Sequence, residues 1–294
     1  MGATGVGPWV LRPGDSGYPE HLRDTPAAPD FVYGIGQQDR LTPGVAIIGS
    51  RNATPYGVRA ATAVAQWSAQ IGLVVYSGAA RGCDQAAQAA ALDAGGSSVA
   101  VLGCGPDVVY PESSRGLLAR CVQSGAVVSQ FEPGTRPAKW RFPQRNWLIA
   151  ALSICVVVVE GRVPSGTFST VGHAQELGRD VCAVPGSIFS IDSDAPNRLI
   201  TDGAHPITCA EDLATVCGLS LGGFTTQRGS AGSSKAPNDV ERALLREPLT
   251  VLQIASHLNQ DSRLVAIELG NLVASGAVAV DLAGRYHVTE QPRR

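Results

Sequence analysis

Six times between residues 45 and 188 a short apolar run is followed by a stretch with helical spacing. The runs are 45–50 (VAIIGS), 73–78 (LVVYSG), 97–105 (SSVAVLGCG), 126–131 (AVVSQF), 154–161 (ICVVVVEG) and 181–188 (VCAVPGSI). Runs this short and this continuously apolar are strands covered on both faces, which is the signature of a parallel sheet. The intervening stretches, among them 58–72, 83–94, 114–125 and 168–178, supply the crossover helices. Short helices are expected at 197–203 and 210–218. The alternation predicts an α/β fold, a Rossmann-like, doubly wound, mostly parallel sheet over 44–218.

The flanks differ. Residues 1–43 are rich in proline and glycine and read as an extended strap, with Tyr18, Phe31 and Tyr33 pinning it to the sheet domain. Residues 219–237 are rich in Gly, Ser and Thr without periodicity, a flexible linker. Beyond it, 238–290 holds three helical stretches and a strand pair turning at Ala283-Gly284, which predicts a small winged-helix domain. Thr250 is a candidate cap for the second helix. The third helix carries Arg263 as its one cation, with Glu268 beside it, so this domain favours a protein partner over reading of duplex DNA.

Net charge is −2, so any contact with nucleic acid must come from a local patch. The patch on offer is 136–149, RPAKWRFPQRNWLI, with Arg136, Lys139, Arg141 and Arg145 interleaved with Trp140, Phe142 and Trp147. Cations at near-alternate positions can follow phosphates while rings stack on bases. An exposed loop with anchoring rings would look the same. The seven cysteines are dispersed without a CxxC pair, which predicts neither a zinc site nor a disulfide framework and fits a reducing cytoplasm. The N-terminus reads as lacking a signal peptide, and no apolar run is long enough to span a membrane.

In a doubly wound sheet, ligands bind at the carboxyl ends of the strands. Several ends here are suited to anions: Gly49, Ser50 and Arg51; Ser77, Gly78, Arg81 and Gly82; Gly103-Cys104-Gly105; and Ser165, Gly166 and Thr167. Glycine turns and helix N-termini present backbone N–H groups to phosphate. No complete GxGxxG or GxxxxGK[ST] is present. Asp84 is expected to support its helix, Glu132 to orient the basic stretch, Glu160 to pair with an arginine, and His173 to pack. No triad, metal cluster or carboxylate pair stands out, so a non-enzymatic protein with no cofactor is expected.

Taken together, GSRNATPYG (49–57), SGAARGCDQAAQAAAL (77–92), GCGPDVVYP (103–111), FPQRNWLIAALS (142–153), VEGRVPSGTFST (159–170), AVPGSIF (183–189) and NRLITDGA (197–204) resemble the DNA processing protein DprA/Smf family. The order and spacing match from Tyr18 to Asp212. The resemblance implies a homodimer that binds single-stranded DNA and helps to load RecA in natural transformation or recombination. It also implies that Arg51, Lys139, Phe142, Arg145 and Asn146 line the DNA pocket, with Phe142 stacked on a base, leaving Trp140 and Arg141 as scaffold. Three positions depart from the family pattern: Trp147 replaces a cation, Gln88 a histidine and Cys83 an isoleucine. Two other readings use the same loops. One is a nucleotide sensor. The other is a Lonely Guy-type phosphoribohydrolase, although PSGTFSTVGHAQE lacks that group's double glycine and places its Glu at 176.

Overall fold

The structure, a computed structural model, describes residues 7–23, 25, 28–219, 239–245, 247–274, 276–281 and 284–289. The chain divides into two units, 1–222 and 223–294. In the first, β1 (Gly7–Leu11), α1 (Glu20–Arg23) and β2 (Val32–Gly36) precede the alternating core. That core runs β3 (Gly44–Ile48), α2 (Pro55–Gln70), β4 (Val74–Ser77), α3 (Cys83–Asp93), β5 (Ser98–Val101), α4 (Arg115–Ser124) and β6 (Gly125–Ser129). It continues through α5 (Arg141–Leu152), β7 (Cys155–Val158), α6 (Thr167–Glu176), β8 (Asp180–Ala183), α7 (Asp194–Thr201), β9 (His205–Pro206) and α8 (Ala210–Val216).

One nine-stranded sheet results, in the order β1-β2-β6-β5-β4-β3-β7-β8-β9. From β6 to β9 every pairing is parallel. The Val, Ile and Ala side chains of β3 to β7 are buried on both faces, which is why these runs are continuously apolar. One face is covered by α2, α3 and α8, with Ala61, Val64, Ala65, Ala87 and Ala91 packed on Val45, Ile47, Val75 and Val157. Small helix residues allow this close approach and explain a core with few aromatics. The other face carries α5 and α6, with Leu148 to Leu152 against Ala46, Ile48, Val99 and Val156.

The strap is more regular than the sequence predicts. Residues 7–11 and 32–36 are strands rather than irregular extended segments, and β2 pairs antiparallel with β6, closing that edge of the sheet. Alternation of exposed and buried residues along these edge strands is diluted by glycine, which hides their period. Tyr18 is buried and Val32 sits fully inside, so the strap shares the main core. Phe31 and Tyr33 stack on each other with centroids 5.8 Å apart.

In the second unit, α9 (Asp239–Leu244), α10 (Val251–Leu258) and α11 (Ser262–Ala274) enclose Val240, Leu244, Ile254, Val265 and Leu269. The strands β10 (Val278–Val280) and β11 (Tyr286–Val288) pair antiparallel. Thr250 caps α10 in a reciprocal box with Gln253. The expected linker, apart from Leu219, and Ala283 of the expected turn lie outside the described residues.

Candidate nucleic-acid interface

At the carboxyl edge of the sheet, the chain reverses direction between β3 and β7, the place where ligands of such folds usually sit. Here Glu160 and Thr54 meet at that position. Glu160, 1% exposed, accepts from the Thr54 backbone N–H at 2.8 Å and from its hydroxyl at 2.5 Å. Thr54 in turn caps α2, accepting from Gly57 N at 3.2 Å. The carboxylate therefore pairs with a threonine rather than with an arginine as the sequence predicts. Burial pushes its pKa up, and the two Thr54 bonds hold it down.

The open site is displaced along the edge, to the ends of β3, β4 and β5. A cavity of about 330 Å³ is lined by Arg51, Gly78, Ala80, Arg81, Leu102, Gly103, Cys104, Tyr110, Pro111, Ser113, Phe142 and Arg145. That is at the small end of the range for ligand pockets. Its floor is a close meeting of two loops. Ser50 O accepts from Cys83 N at 3.1 Å, and Gly82, at φ +82°, lies so near that a Cβ there would overlap Ser50 O. Only glycine fits. The 78–82 loop is then fixed from below. Gly78 N donates to Asp84 at 3.2 Å and Ala79 N to Gln88 at 3.1 Å, while Gln88 donates onward to Ser98 at 3.3 Å.

Phe142 forms the aromatic wall. Gly103 leaves it room, since a Cβ there would be 2.9 Å from Phe142 Cδ1. Tyr110 faces it at 5.5 Å between centroids, 34° apart, and the guanidinium carbons of Arg51 and Arg145 lie 5.7 and 5.9 Å from the ring centre. Arg51 and Arg81 are exposed. Arg145 is only 5% exposed and donates to Gly78 O at 2.8 Å and Val101 O at 2.5 Å. Desolvation pushes its pKa down to about 10, with the charge of Asp84 opposing the fall. Asp84, behind the loop, has its own pKa raised by burial and restrained by Arg145 and by backbone N–H groups. Burial also raises the Cys104 thiol to about 11 and the Cys83 thiol to about 12, so both are protonated at neutral pH.

The residues expected from sequence are thus only partly brought together. Arg51, Gly78, Arg81, Phe142 and Arg145 line the cavity. Lys139 is exposed just before α5, and Asn146 accepts from Arg145 Nε at 3.2 Å. Ser77 is a correction: its hydroxyl is buried and donates to Ile47 O at 2.6 Å, so it is not presented to an anion. The Gly78 amide is likewise turned inward. Gly49 supports the loop under Cys83, and Ser50 accepts from Asn52 N at 3.1 Å. Ser165, Gly166 and Thr167 lie beyond Glu160, outside the cavity lining, with Ser165 bonded to Thr167. Sequence reasoning misses Tyr110, Pro111 and Ser113 as site residues, although GCGPDVVYP places the first two on the loop that follows β5. Trp140, expected as scaffold, is 58% exposed. Trp147, in the position of a family cation, packs on the core.

Among the described residues no cluster of His, Cys, Asp and Glu is placed to hold a metal ion, and no helix is long and apolar enough to cross a membrane. All seven cysteines are free thiols.

The family profile of DNA recombination-mediator protein A matches residues 9–218. The DNA processing protein DprA of Streptococcus pneumoniae is 40% identical over 200 residues, covering 68% of this chain and 71% of that protein. The protein Smf of Synechocystis is 29% identical over 316 residues, covering 97% of this chain and 79% of that protein. The X-ray structure of the pneumococcal DprA superimposes with a TM-score of 0.67 at 38% identity, covering 70% of this chain and 73% of that one. A structure of DprA from Helicobacter pylori, described as showing a single-stranded DNA binding mode, gives a TM-score of 0.64 at 29% identity, covering 71% of this chain and 95% of that one. With the motif order of 49–204 and the sheet that displays it, these matches place the chain in the DNA recombination-mediator protein A (DprA/Smf) family.

Proposed function

We propose that this protein binds single-stranded DNA in the cavity at the ends of β3, β4 and β5 and delivers it to RecA during recombination or natural transformation, working as a homodimer. The observation that carries the reading is the Tyr110–Phe142 ring pair in a cavity that exposed Arg51 and Arg81 also line. Rings offer a base a sequence-tolerant stacking surface, and flanking guanidinium groups meet the phosphates on either side. The single-stranded DNA binding mode described for the Helicobacter pylori relative supports the same ligand. Lys139, exposed at the entrance to α5, extends the cationic track. Arg145 contributes from behind, fixing the loops while adding positive charge beneath the site.

The test is a titration with labelled single- and double-stranded oligonucleotides at two salt concentrations. Single strands should bind more tightly. Three phosphate contacts, from Arg51, Arg81 and Lys139, give a slope of log K against log salt of about −2. Arg51→Ala should weaken binding by about 1.5–3 kcal/mol and Phe142→Ala by about 1–3 kcal/mol. Equal affinity of both variants and the unmodified protein would remove the DNA assignment from this cavity.

A further inference from the structure

Exposed aromatic surface is also found outside the cavity lining. Trp140 stands two residues before Phe142 and is 58% exposed, yet its ring is not loose. The Arg141 guanidinium carbon lies 4.6 Å from the Trp140 ring centre and 5.4 Å from that of Phe131, and Phe131 meets Trp140 edge-on at 6.3 Å and 88°. Arg141 itself is tied down by donation to Arg136 O, at the expense of a buried Nε with no partner among the described residues. A cation and a ring edge thus fix the indole while more than half of it stays open to solvent. Lys139 is exposed directly beside it. Such an arrangement costs exposed apolar area and a stranded donor, and nothing within the described fold uses the open indole surface.

We infer that Trp140 is a second stacking platform, taking the nucleobase next to the one held at Phe142 and Tyr110, with Lys139 on the adjoining phosphate. Two residues of chain span at most about 7 Å, which covers one nucleotide rise of about 3.4 Å and reaches about two, so a base one or two steps along the same strand can meet Trp140 while another lies on Phe142. Because stacking reads only the π-face, the platform adds length to the site without adding sequence preference. The inference rests on the single-strand reading of the cavity, and its test separates the two.

Thymidine 5′-monophosphate and oligothymidylates of up to about sixteen nucleotides are titrated against the full chain and its Trp140→Ala, Trp140→Phe and Phe142→Ala variants. Trp140→Ala should lose about 5- to 150-fold in affinity for the long strands and nothing for the monophosphate, while Trp140→Phe keeps most of it. Long strands should also quench the tryptophan fluorescence of the unmodified protein more than that of Trp140→Phe. If Trp140→Ala matches the unmodified protein at every length while Phe142→Ala is weaker, the platform is refuted and the cavity reading stands. An equal loss at all lengths in Trp140→Ala also refutes it, since the effect would then come from the cavity. If the unmodified protein binds no strand, or Phe142→Ala binds as well as it does, the cavity reading falls and takes this inference with it.

Discussion

Arg145→Met separates a brace from a ligand contact. The guanidinium makes two bonds to backbone carbonyls, at Gly78 and Val101. Bonds with a charged donor contribute about 1.5–3 kcal/mol each, so the pair contributes about 3–6 kcal/mol. Against this stands the cost of burying the charge. A pKa held down to about 10 corresponds to roughly 3 kcal/mol of net penalty on the charged form, desolvation less the attraction of Asp84. The intact residue therefore gives a modest net gain. Truncation does not recover that balance, because it leaves two buried carbonyls unmatched and the Asp84 carboxylate without its nearest cation. The expected destabilisation is about 3–5 kcal/mol. Removing the stranded charge as well, in Arg145→Met with Asp84→Asn, should cost less than the sum of the single changes by about 0.5–3 kcal/mol. Urea denaturation followed by tryptophan fluorescence is the assay, since all four tryptophans lie in the first unit and report its unfolding alone. If Arg145→Met stayed within about 1 kcal/mol of the unmodified protein while single-strand binding was lost, the guanidinium would be a DNA contact and not a brace.

Other positions test neighbouring parts of the frame. Gly82→Ala must hold a positive φ and push a methyl group into Ser50 O, so a loss of about 3 kcal/mol or more is expected in the same assay. At Gly57 a Cβ would run into Glu160 Oε2; Gly57→Ala should cost about 1–3 kcal/mol, and Glu160→Ala in the same chain should relieve part of that cost. His21, whose Nε2 donates to Leu152 O at 3.0 Å, has its pKa lowered by burial, with Arg179 adding to the fall and the Leu152 bond and Glu20 opposing it. Between its ordinary value of about 6.5 and the lower folded value, the unfolded chain binds more protons, so stability rises with pH across that window. The contribution is complete above about pH 6.5 and is lost as the pH falls below it. Urea midpoints at pH 7.5 and 5.5 should therefore differ less in His21→Gln than in the unmodified protein.

The sheet was legible because its strands are buried on both faces, which forces β3 to β7 into unbroken Val, Ile and Ala runs that no exposed segment would carry. The edge was not. β1 and β2 draw their order from the β6 backbone and from anchors such as Tyr18, and hydrogen bonds to a distant strand leave little trace in a local pattern. The site divides on the same line. The resemblance points to Phe142 and Arg51, and both line the cavity, Phe142 from the first turn of α5 and Arg51 from the loop after β3. Ser77 and Arg145 look the same in sequence as surface binders, but residue type does not tell whether a polar head faces solvent or a carbonyl of the next loop.

What the three-dimensional arrangement adds is a reason for the site's position. At the reversal point between β3 and β7 Glu160 bonds to Thr54, and the same carboxylate requires glycine at 57. The cavity opens at the ends of β3, β4 and β5, where the inward-turned amides of Gly78 and Ala79 are already spent on Asp84 and Gln88. Backbone groups that would cradle a mononucleotide phosphate in a dinucleotide-binding fold are thus largely committed. The groups left to recognise a ligand are rings and exposed side-chain cations, set along an edge rather than around a closed cup. On the proposed reading that inventory favours a polymer lying across the edge over a free nucleotide, with affinity drawn from the rings of Phe142 and Tyr110 together with the local cations Arg51, Arg81 and Lys139, since a net charge of −2 offers no overall attraction.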